Sequence, residues 1–71
     1  MSSWTFENYR NEELNIYGEY RWNKEGGYEV SFGHKFNGIV YNDIFHNTYA
    51  TIESAKRAFK RYVRKIKKGE I

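Results

Sequence analysis

The dipeptide Asn37-Gly38 lies between two runs of alternating aromatic and β-branched residues. Asn and Gly both accept the positive φ angles of a two-residue hairpin turn, so this pattern is the strongest short-range signal for a β-hairpin. A second, longer turn is predicted at Gly26-Gly27, within the stretch WNKEGGY. The two turns divide residues 16–46 into a three-stranded antiparallel meander. Its strands are expected at 16–22, 28–36 and 39–46.

The two turns also fix the strand register. The Asn-Gly turn places Phe36 opposite Ile39, and the longer turn places Trp22 opposite Tyr28. Successive side chains of a strand point to opposite faces, so this register collects most of the large apolar residues on one face. That core face is predicted to carry Ile16, Tyr20, Trp22, Tyr28, Val30, Phe32, Phe36, Ile39, Tyr41 and Phe45. Asp43 falls on the same face as a misfit, which predicts either a bulge or an edge position there.

The opposite face of the predicted sheet is mixed in character. It is expected to carry Tyr17, Glu19, Arg21, Glu29, Ser31, Lys35, Val40, Asn42, Ile44 and His46. Its apolar members are Tyr17, Val40 and Ile44. An apolar patch of this kind either needs cover or marks a contact site for a partner.

Residues 1–15 precede the sheet and fit two structures. Trp4 and Phe6 alternate as in a short strand, whereas Tyr9 to Leu14 would also form a helical turn. We expect Trp4, Phe6 or Tyr9 to lie over part of the apolar patch. Without that cover, the patch is a candidate site for protein contact.

The C-terminal stretch 51–68 has the periodicity of an amphipathic helix. Thr51 is the expected N-cap, Glu53 lies in the first turn, where the helix dipole favours an acid, and Gly69 is the expected stop. The apolar stripe of this helix consists of Ile52, Ala55, Phe59, Tyr62, Val63 and Ile66. Packing the stripe on the aromatic face of the sheet gives one α+β domain, residues 1–71, in the order β-β-β-α.

Positive charge is concentrated in this helix. Residues 1–55 carry four basic and eight acidic side chains, whereas residues 56–68 carry eight basic and no acidic ones. Five like-charged pairs have i,i+4 spacing: Lys56–Lys60, Arg57–Arg61, Lys60–Arg64, Arg61–Lys65 and Arg64–Lys68. Each pair costs about 0.2–0.5 kcal/mol, so the five together cost about 1–2.5 kcal/mol before salt screening. We therefore expect an acidic partner: a nucleic acid, an acidic protein surface, or the acidic half of this domain, in the monomer or across a weak dimer.

The stretch YATIESAKRAF, residues 49–59, places Thr, Glu, Ala and Arg-Ala between two aromatic residues. It resembles the strand-to-helix junction of plant ethylene-response DNA-binding domains and of the amino-terminal arm-binding domains of phage tyrosine recombinases. Residues 17–32 are similar in spacing to the first hairpin of that family. The resemblance implies a three-stranded sheet, backed by one helix, whose exposed face enters the major groove of DNA. Transferred by position, the contacting residues would be Arg21, Lys24, Ser31, Lys35 and Tyr17.

This chain departs from that family on its exposed sheet face. The face also holds Glu19 and Glu29, and Arg21 lies opposite Glu29 in the predicted register. A surface that enters a DNA groove is expected to be basic, whereas this one is nearly neutral. The element order is also similar to the β-β-β-α part of double-stranded-RNA-binding domains, although their first helix and Gly-Pro-x-His loop are not evident.

Catalytic and metal-binding patterns are not predicted. The chain has no cysteine, and His34 and His46 are expected on opposite faces of the sheet. It shows no Ser-His-Asp set and no phosphate-binding loop, and a chain this short has little room for a ligand pocket. We therefore expect no enzyme, no cofactor and no metal site.

Targeting signals are not predicted either. No apolar run approaches the ~20 residues of a membrane span. The N-terminal stretch MSSWTFENYRNEEL lacks the basic and apolar regions of a signal peptide. These features predict a soluble cytoplasmic domain without membrane contact.

Two functions remain open at this point. The first is a small nucleic-acid-binding domain, with DNA favoured over RNA, of the kind that phages or mobile elements encode. Its phosphate contacts would come from Lys56, Arg57, Lys60, Arg61, Arg64, Lys65 and Lys68, and further contacts from Arg21, Lys24 and Lys35. The second is a protein-binding module, such as an inhibitor or adaptor. It would use the basic helix against an acidic surface, or Tyr17, Val40 and Ile44 against an apolar one.

Overall fold

The computed structural model describes residues 3–24 and 26–71, and side-chain environments from residue 5 onward. The chain forms an antiparallel sheet followed by one C-terminal helix, so the predicted α+β class is confirmed. The sheet has more strands than the three that were predicted. Its elements are β1 (Ser3–Asn11), β2 (Ile16–Asn23), β3 (Gly27–Phe36), β4 (Ile39–Val40), β5 (Phe45–Tyr49) and α1 (Ile52–Lys67).

β3 organises the sheet because three strands pair with it. β1, β2 and β3 form a meander, β5 pairs with the other side of β3, and the short β4 pairs with its last two residues. Asn37 and Gly38 both have positive φ, 52° and 78°, as the predicted hairpin turn requires. The predicted register is confirmed at both turns: Phe36 pairs with Ile39, and Trp22 with Tyr28.

The strand predicted at 39–46 is wrong as one element, because the chain leaves β3 after Val40 and rejoins it at Phe45. Asp43 lies in this detour, where its Oδ1 accepts a 2.8 Å hydrogen bond from the His34 backbone N–H. The detour passes so close to Gly33 that any Cβ there would overlap the Tyr41 carbonyl. The misfit of Asp43 in the predicted register therefore marked a true break in pairing.

The core lies between α1 and one face of the sheet. Phe59 of α1 contacts Tyr20 and Phe32, with ring centroids 5.0 and 5.5 Å apart. The Tyr62 ring stacks on Phe45 at 4.3 Å. The fully packed set is Ile16, Tyr20, Val30 and Phe32 from the sheet with Ala55, Ala58, Phe59 and Ile66 from the helix.

Three residues predicted for the core are exposed instead: Phe36, Ile39 and Tyr41. The reason is the length of the helix, because 16 residues span only about 24 Å. At the end of α1, the Nζ of Lys67 lies 6.0 Å from the ring of Tyr9, and Tyr9 pairs with Gly18, which pairs with Phe32. The hairpin beyond His34 therefore extends past the region that the helix covers.

The N-terminal segment forms β1, which is one of the two structures that its sequence fits. Phe6 stacks on Tyr20 at 5.8 Å, and Tyr9 packs against the core, so both lie on the helix side of the sheet. The expectation that they cover the opposite face is wrong, and the side chain of Trp4 lies outside the described residues. Ile44 was placed on that opposite face, but it also packs against the core.

Both predicted ends of the helix are confirmed. The Thr51 side chain accepts a 3.2 Å hydrogen bond from the Ser54 backbone N–H, as an N-cap residue does. Gly69 has a φ of +75° and donates from its N–H to the Ile66 carbonyl, so it ends the helix in the left-handed conformation. Within the described residues, the helix is too short and too polar to span a membrane.

The close approach of the Phe32 ring to Gly18 provides a test of this packing. A Cβ at position 18 would overlap the ring, so Gly18→Ala should destabilise the domain by about 1–3 kcal/mol through overpacking. Gly26→Ala is the matched control, because a Cβ there would meet nothing closer than 3.9 Å. Urea unfolding measures both, and equal stability of the two variants would contradict the described packing.

Candidate nucleic-acid interface

The packing of α1 directs its basic residues away from the sheet. Burial of Ala55, Phe59 and Ile66 fixes the rotation of the helix about its axis. The exposed cations are Lys56, Arg57, Lys60, Arg61, Arg64, Lys67 and Lys68. Lys65 is half-buried, and its Nζ lies 5.2 Å from the centroid of the Tyr62 ring. We call these seven exposed side chains, without Lys65, the cationic face of α1.

Lys67 was left out of the predicted contact residues, yet it belongs to this face. Its Nζ lies 6.0 Å from the centroid of the Tyr9 ring on β1. Its helical angle, close to that of Lys60 and Lys56, was the signal that would have included it.

No ion pair joins the cationic face to a carboxylate among residues 3–24 and 26–71. The ion pairs described there all lie on the sheet, its turns and the loop before β5. The described acidic side chains therefore do not neutralise the helix within the same molecule. The like-charged i,i+4 pairs therefore have no described carboxylate within ion-pair distance to offset them.

The dimensions of the cationic face suit an extended polyanion. Residues four apart on a helix are separated by about 6 Å along its axis, so the cations form rows with that spacing. One strand of B-DNA presents a phosphate about every 3.4 Å of helix axis, so a helix of about 24 Å lies beside about seven phosphates. A small anion would contact only one or two of these side chains.

The face of the sheet that points away from α1, called the outer face below, pairs its own charged side chains with one another. Arg21 donates from Nε and Nη2 to Glu29 Oε1, at 2.7 and 2.6 Å. His46 Nε2 lies 2.6 Å from the other oxygen of Glu29, and Glu19 Oε2 lies 3.8 Å from Arg21 Nη1. The Tyr17 hydroxyl donates to Glu19 Oε1 at 3.0 Å. Arg21, whose side chain is 40% exposed, is therefore paired with two carboxylates.

The pKa of Glu29 reflects this network. Partial burial of its carboxylate acts to raise the pKa, but the hydrogen bonds from His46 and Arg21 and their charges outweigh it, so the pKa lies below its ordinary value. Asp43 also has a lowered pKa, because the His34 backbone N–H and then the His34 ring hydrogen-bond to its carboxylate. Both carboxylates favour the ionised form in the folded protein.

The remaining predicted contact residues do not form one surface. Lys24 is exposed in the turn between β2 and β3, whereas Lys35 lies at the far end of β3. Tyr17, Ser31 and Val40 line a shallow depression of about 200 Å³ on the outer face, together with Glu19, Arg21 and Asn42. Ile44 is not part of it. The proposed protein-contact patch is thus reduced to Tyr17 and Val40.

The two histidines lie apart, as predicted. His34 Nδ1 is 2.7 Å from Asp43 Oδ2, whereas His46 belongs to the Glu29 network on the outer face. Among the residues that the structure describes, no group of three or more acidic or histidine side chains could hold a metal ion.

The cost of the cationic face can be measured by reversing one charge. Lys60→Glu replaces two repulsive i,i+4 pairs, with Lys56 and Arg64, by two attractive pairs, so it should stabilise the domain by about 1 kcal/mol. Lys35→Glu changes net charge equally without touching the helix, and no comparable gain is expected. Thermal unfolding at low salt compares them. A Lys60→Glu variant that is less stable than wild type would contradict the predicted repulsion between Lys60 and its neighbours Lys56 and Arg64.

The Glu29 network predicts a dependence of stability on pH. Because the pKa of Glu29 is lower in the folded state, the ionised carboxylate stabilises the fold above its unfolded-state pKa, and this stabilisation is lost as pH falls through the folded-state pKa. In urea unfolding, Glu29→Gln should be less stable than wild type near pH 6, and the difference should shrink as pH falls below the ordinary glutamate pKa of about 4.5.

The matched control for this comparison is Glu13→Gln, an exposed side chain in the turn after β1. The stability of this variant should change with pH as that of the wild type does. The lowered pKa of Asp43 contributes to that change in both proteins. A constant difference between Glu29→Gln and wild type across this range would show that the carboxylate charge is not what stabilises the network.

Comparisons with known proteins do not extend this description: no protein-family model matches the chain, and no curated protein or solved structure matches it. The resemblance to DNA-binding domains over about residues 17–66 therefore remains a prediction from the sequence. The site residues that it implies on the sheet include Arg21, which the structure pairs with Glu29.

Proposed function

We propose that this domain binds nucleic acid through the phosphate backbone, using the cationic face of α1. One observation supports this more than any other. Seven exposed cations share one side of a helix, and none has a carboxylate partner among the described residues. Phosphates would remove the repulsion between these side chains, so binding would stabilise both the complex and the helix.

The mechanism is electrostatic docking with release of counterions. Each phosphate neutralised by Lys or Arg frees condensed cations, so affinity falls as salt rises. Such contacts position the protein but carry no sequence information. DNA is the first ligand to test, because the sequence resembles DNA-binding domains.

An acidic protein surface is the second candidate partner for the same face. The observation in its favour is the outer face of the sheet, where Arg21 is held by Glu29 and Glu19 and offers no free cation to a DNA groove. A protein partner would need complementary carboxylates spaced along about 24 Å of helix. Binding to nucleic acid in a purified system separates the two candidates.

The test reverses three charges at the centre of the cationic face. The variant Arg57→Glu, Arg61→Glu and Arg64→Glu should bind a labelled oligonucleotide at least about 100-fold more weakly, with a salt slope smaller by about 3. Fluorescence anisotropy measures binding, and circular dichroism confirms that the fold is intact. Unchanged affinity in the folded variant would refute the proposal.

The matched control reverses three cations elsewhere, at Arg10, Lys24 and Lys35, and gives the same net charge. All three are exposed, and they lie on β1, in the turn after β2 and at the end of β3. This variant should retain most of the wild-type affinity. Equal weakening of both triple variants would show that binding follows net charge and not the face of α1.

A further inference from the structure

The hairpin that extends past the helix exposes large apolar side chains. The exposed fractions are 53% for Phe36, 55% for Ile39 and 49% for Tyr41. The rings form a row: His34 and Phe36 are stacked with centroids 6.2 Å apart, and Tyr41 lies 6.5 Å from Phe36. Burying this apolar surface would be favourable, and an exposed apolar patch of this kind marks a contact site for a partner.

The rings are held in place by the backbone on which they lie. The Asn37-Gly38 turn closes the hairpin, and the Tyr41 N–H donates to the His34 carbonyl at 2.9 Å. Asp43 binds both the backbone N–H and the ring of His34. The close approach of the chain to Gly33 fixes the path from Tyr41 onward. The exposed rings are therefore pre-positioned, which lowers the entropic cost of stacking a ligand on them.

The row lies at the end of the molecule where the cationic face ends. His34 pairs with Ile16, and Ile16 pairs with Asn11 on its other side. The Nζ of Lys67, the last residue of α1, lies 6.0 Å from the ring of Tyr9, two residues before Asn11, so the helix ends at this end of the sheet. The last turn of α1 and its C-cap carry four cations at this end: Arg64, Lys65, Lys67 and Lys68. The acids at the same end are Glu12, Glu13, Asp43 and Glu70. Glu12 is paired with Arg10, and Asp43 with His34.

We propose that the nucleic acid is bound as a single strand whose bases stack on Phe36 and Tyr41 while α1 binds its phosphates. This inference rests on the proposed function and names the strand type. A duplex keeps its bases inside, whereas a single strand offers flat base faces and phosphates together. Exposed aromatic rings beside a row of cations are the combination that single-strand-binding proteins use.

The experiment compares a labelled single strand of about 12 nucleotides with the duplex of the same length. Wild type should bind the single strand more tightly. The variant Phe36→Ala with Tyr41→Ala should lose affinity for the single strand by about 25-fold or more, about fivefold for each stacked base, and keep its affinity for the duplex. Phe36→Leu with Tyr41→Leu keeps apolar volume without aromatic faces and should lose affinity similarly.

The matched control is Leu14→Ala with Ile39→Ala, which removes exposed apolar side chains near the same end that have no ring. It should bind the single strand as wild type does. Equal loss in this control would assign the effect to apolar contact and overturn the stacking proposal. A wild-type dimer in sedimentation that the Phe36 and Tyr41 variants dissociate would assign the row to a second copy of the chain, and would also overturn it.

The outcomes for the two proposals are distinct. Wild-type single-strand affinity in both the Ala and the Leu variants, with a weakened arginine triple variant, would overturn base stacking and leave phosphate binding by α1 in place. Absence of binding to either strand type by wild type at low salt would overturn both proposals.

Discussion

The contact of Phe59 with Tyr20 and Phe32 is the interaction on which the rest of this domain depends. The helix that carries Phe59 also carries five repulsive charge pairs, which together cost about 1–2.5 kcal/mol. Removing a buried Phe costs about 3–5 kcal/mol, so one aromatic contact outweighs that repulsion. The helix forms because its apolar stripe is packed on the sheet, and the same packing directs the cations outward.

The two faces of the molecule manage charge in opposite ways. On the outer sheet face, Arg21, Glu29 and His46 satisfy one another within 2.6–2.7 Å. On α1, cations are repeated without described acidic partners, although alternating Glu and Lys would have stabilised the helix. A core formed by 71 residues supplies only a small free energy of unfolding, so a repulsion of this size is a substantial cost. Its presence is consistent with a role for the helix in binding.

Local signals predicted the helix, the two hairpin turns and the register across them. Asn37-Gly38 fixed the pairing of Phe36 with Ile39, and Thr51 and Gly69 marked the ends of the helix, because turn and cap geometry depend on only a few residues. The position of Asp43 on the core face of the predicted sheet indicated the break between β4 and β5. The form of this break was not predictable, because it depends on how closely the Tyr41 carbonyl packs against Gly33 across the hairpin, a contact that turn and alternation signals do not encode.

The sequence did not predict how much of the sheet the helix covers. Alternation assigns Phe36 and Tyr41 to the helix side of the sheet, but it cannot say where along β3 the helix ends. That length decides whether they are core residues or an exposed row. The position of Ile44 was missed because this residue lies in the detour before β5, where the alternation of a strand does not apply.

The salt dependence of oligonucleotide binding by the wild-type domain tests the central claim most directly. The claim is that the packed helix presents its cations to phosphates. If about four phosphates are neutralised, log affinity plotted against log salt between about 50 and about 200 mM should have a slope of about −3 to −4. A slope near zero, or no binding at the lower salt, would contradict the claim.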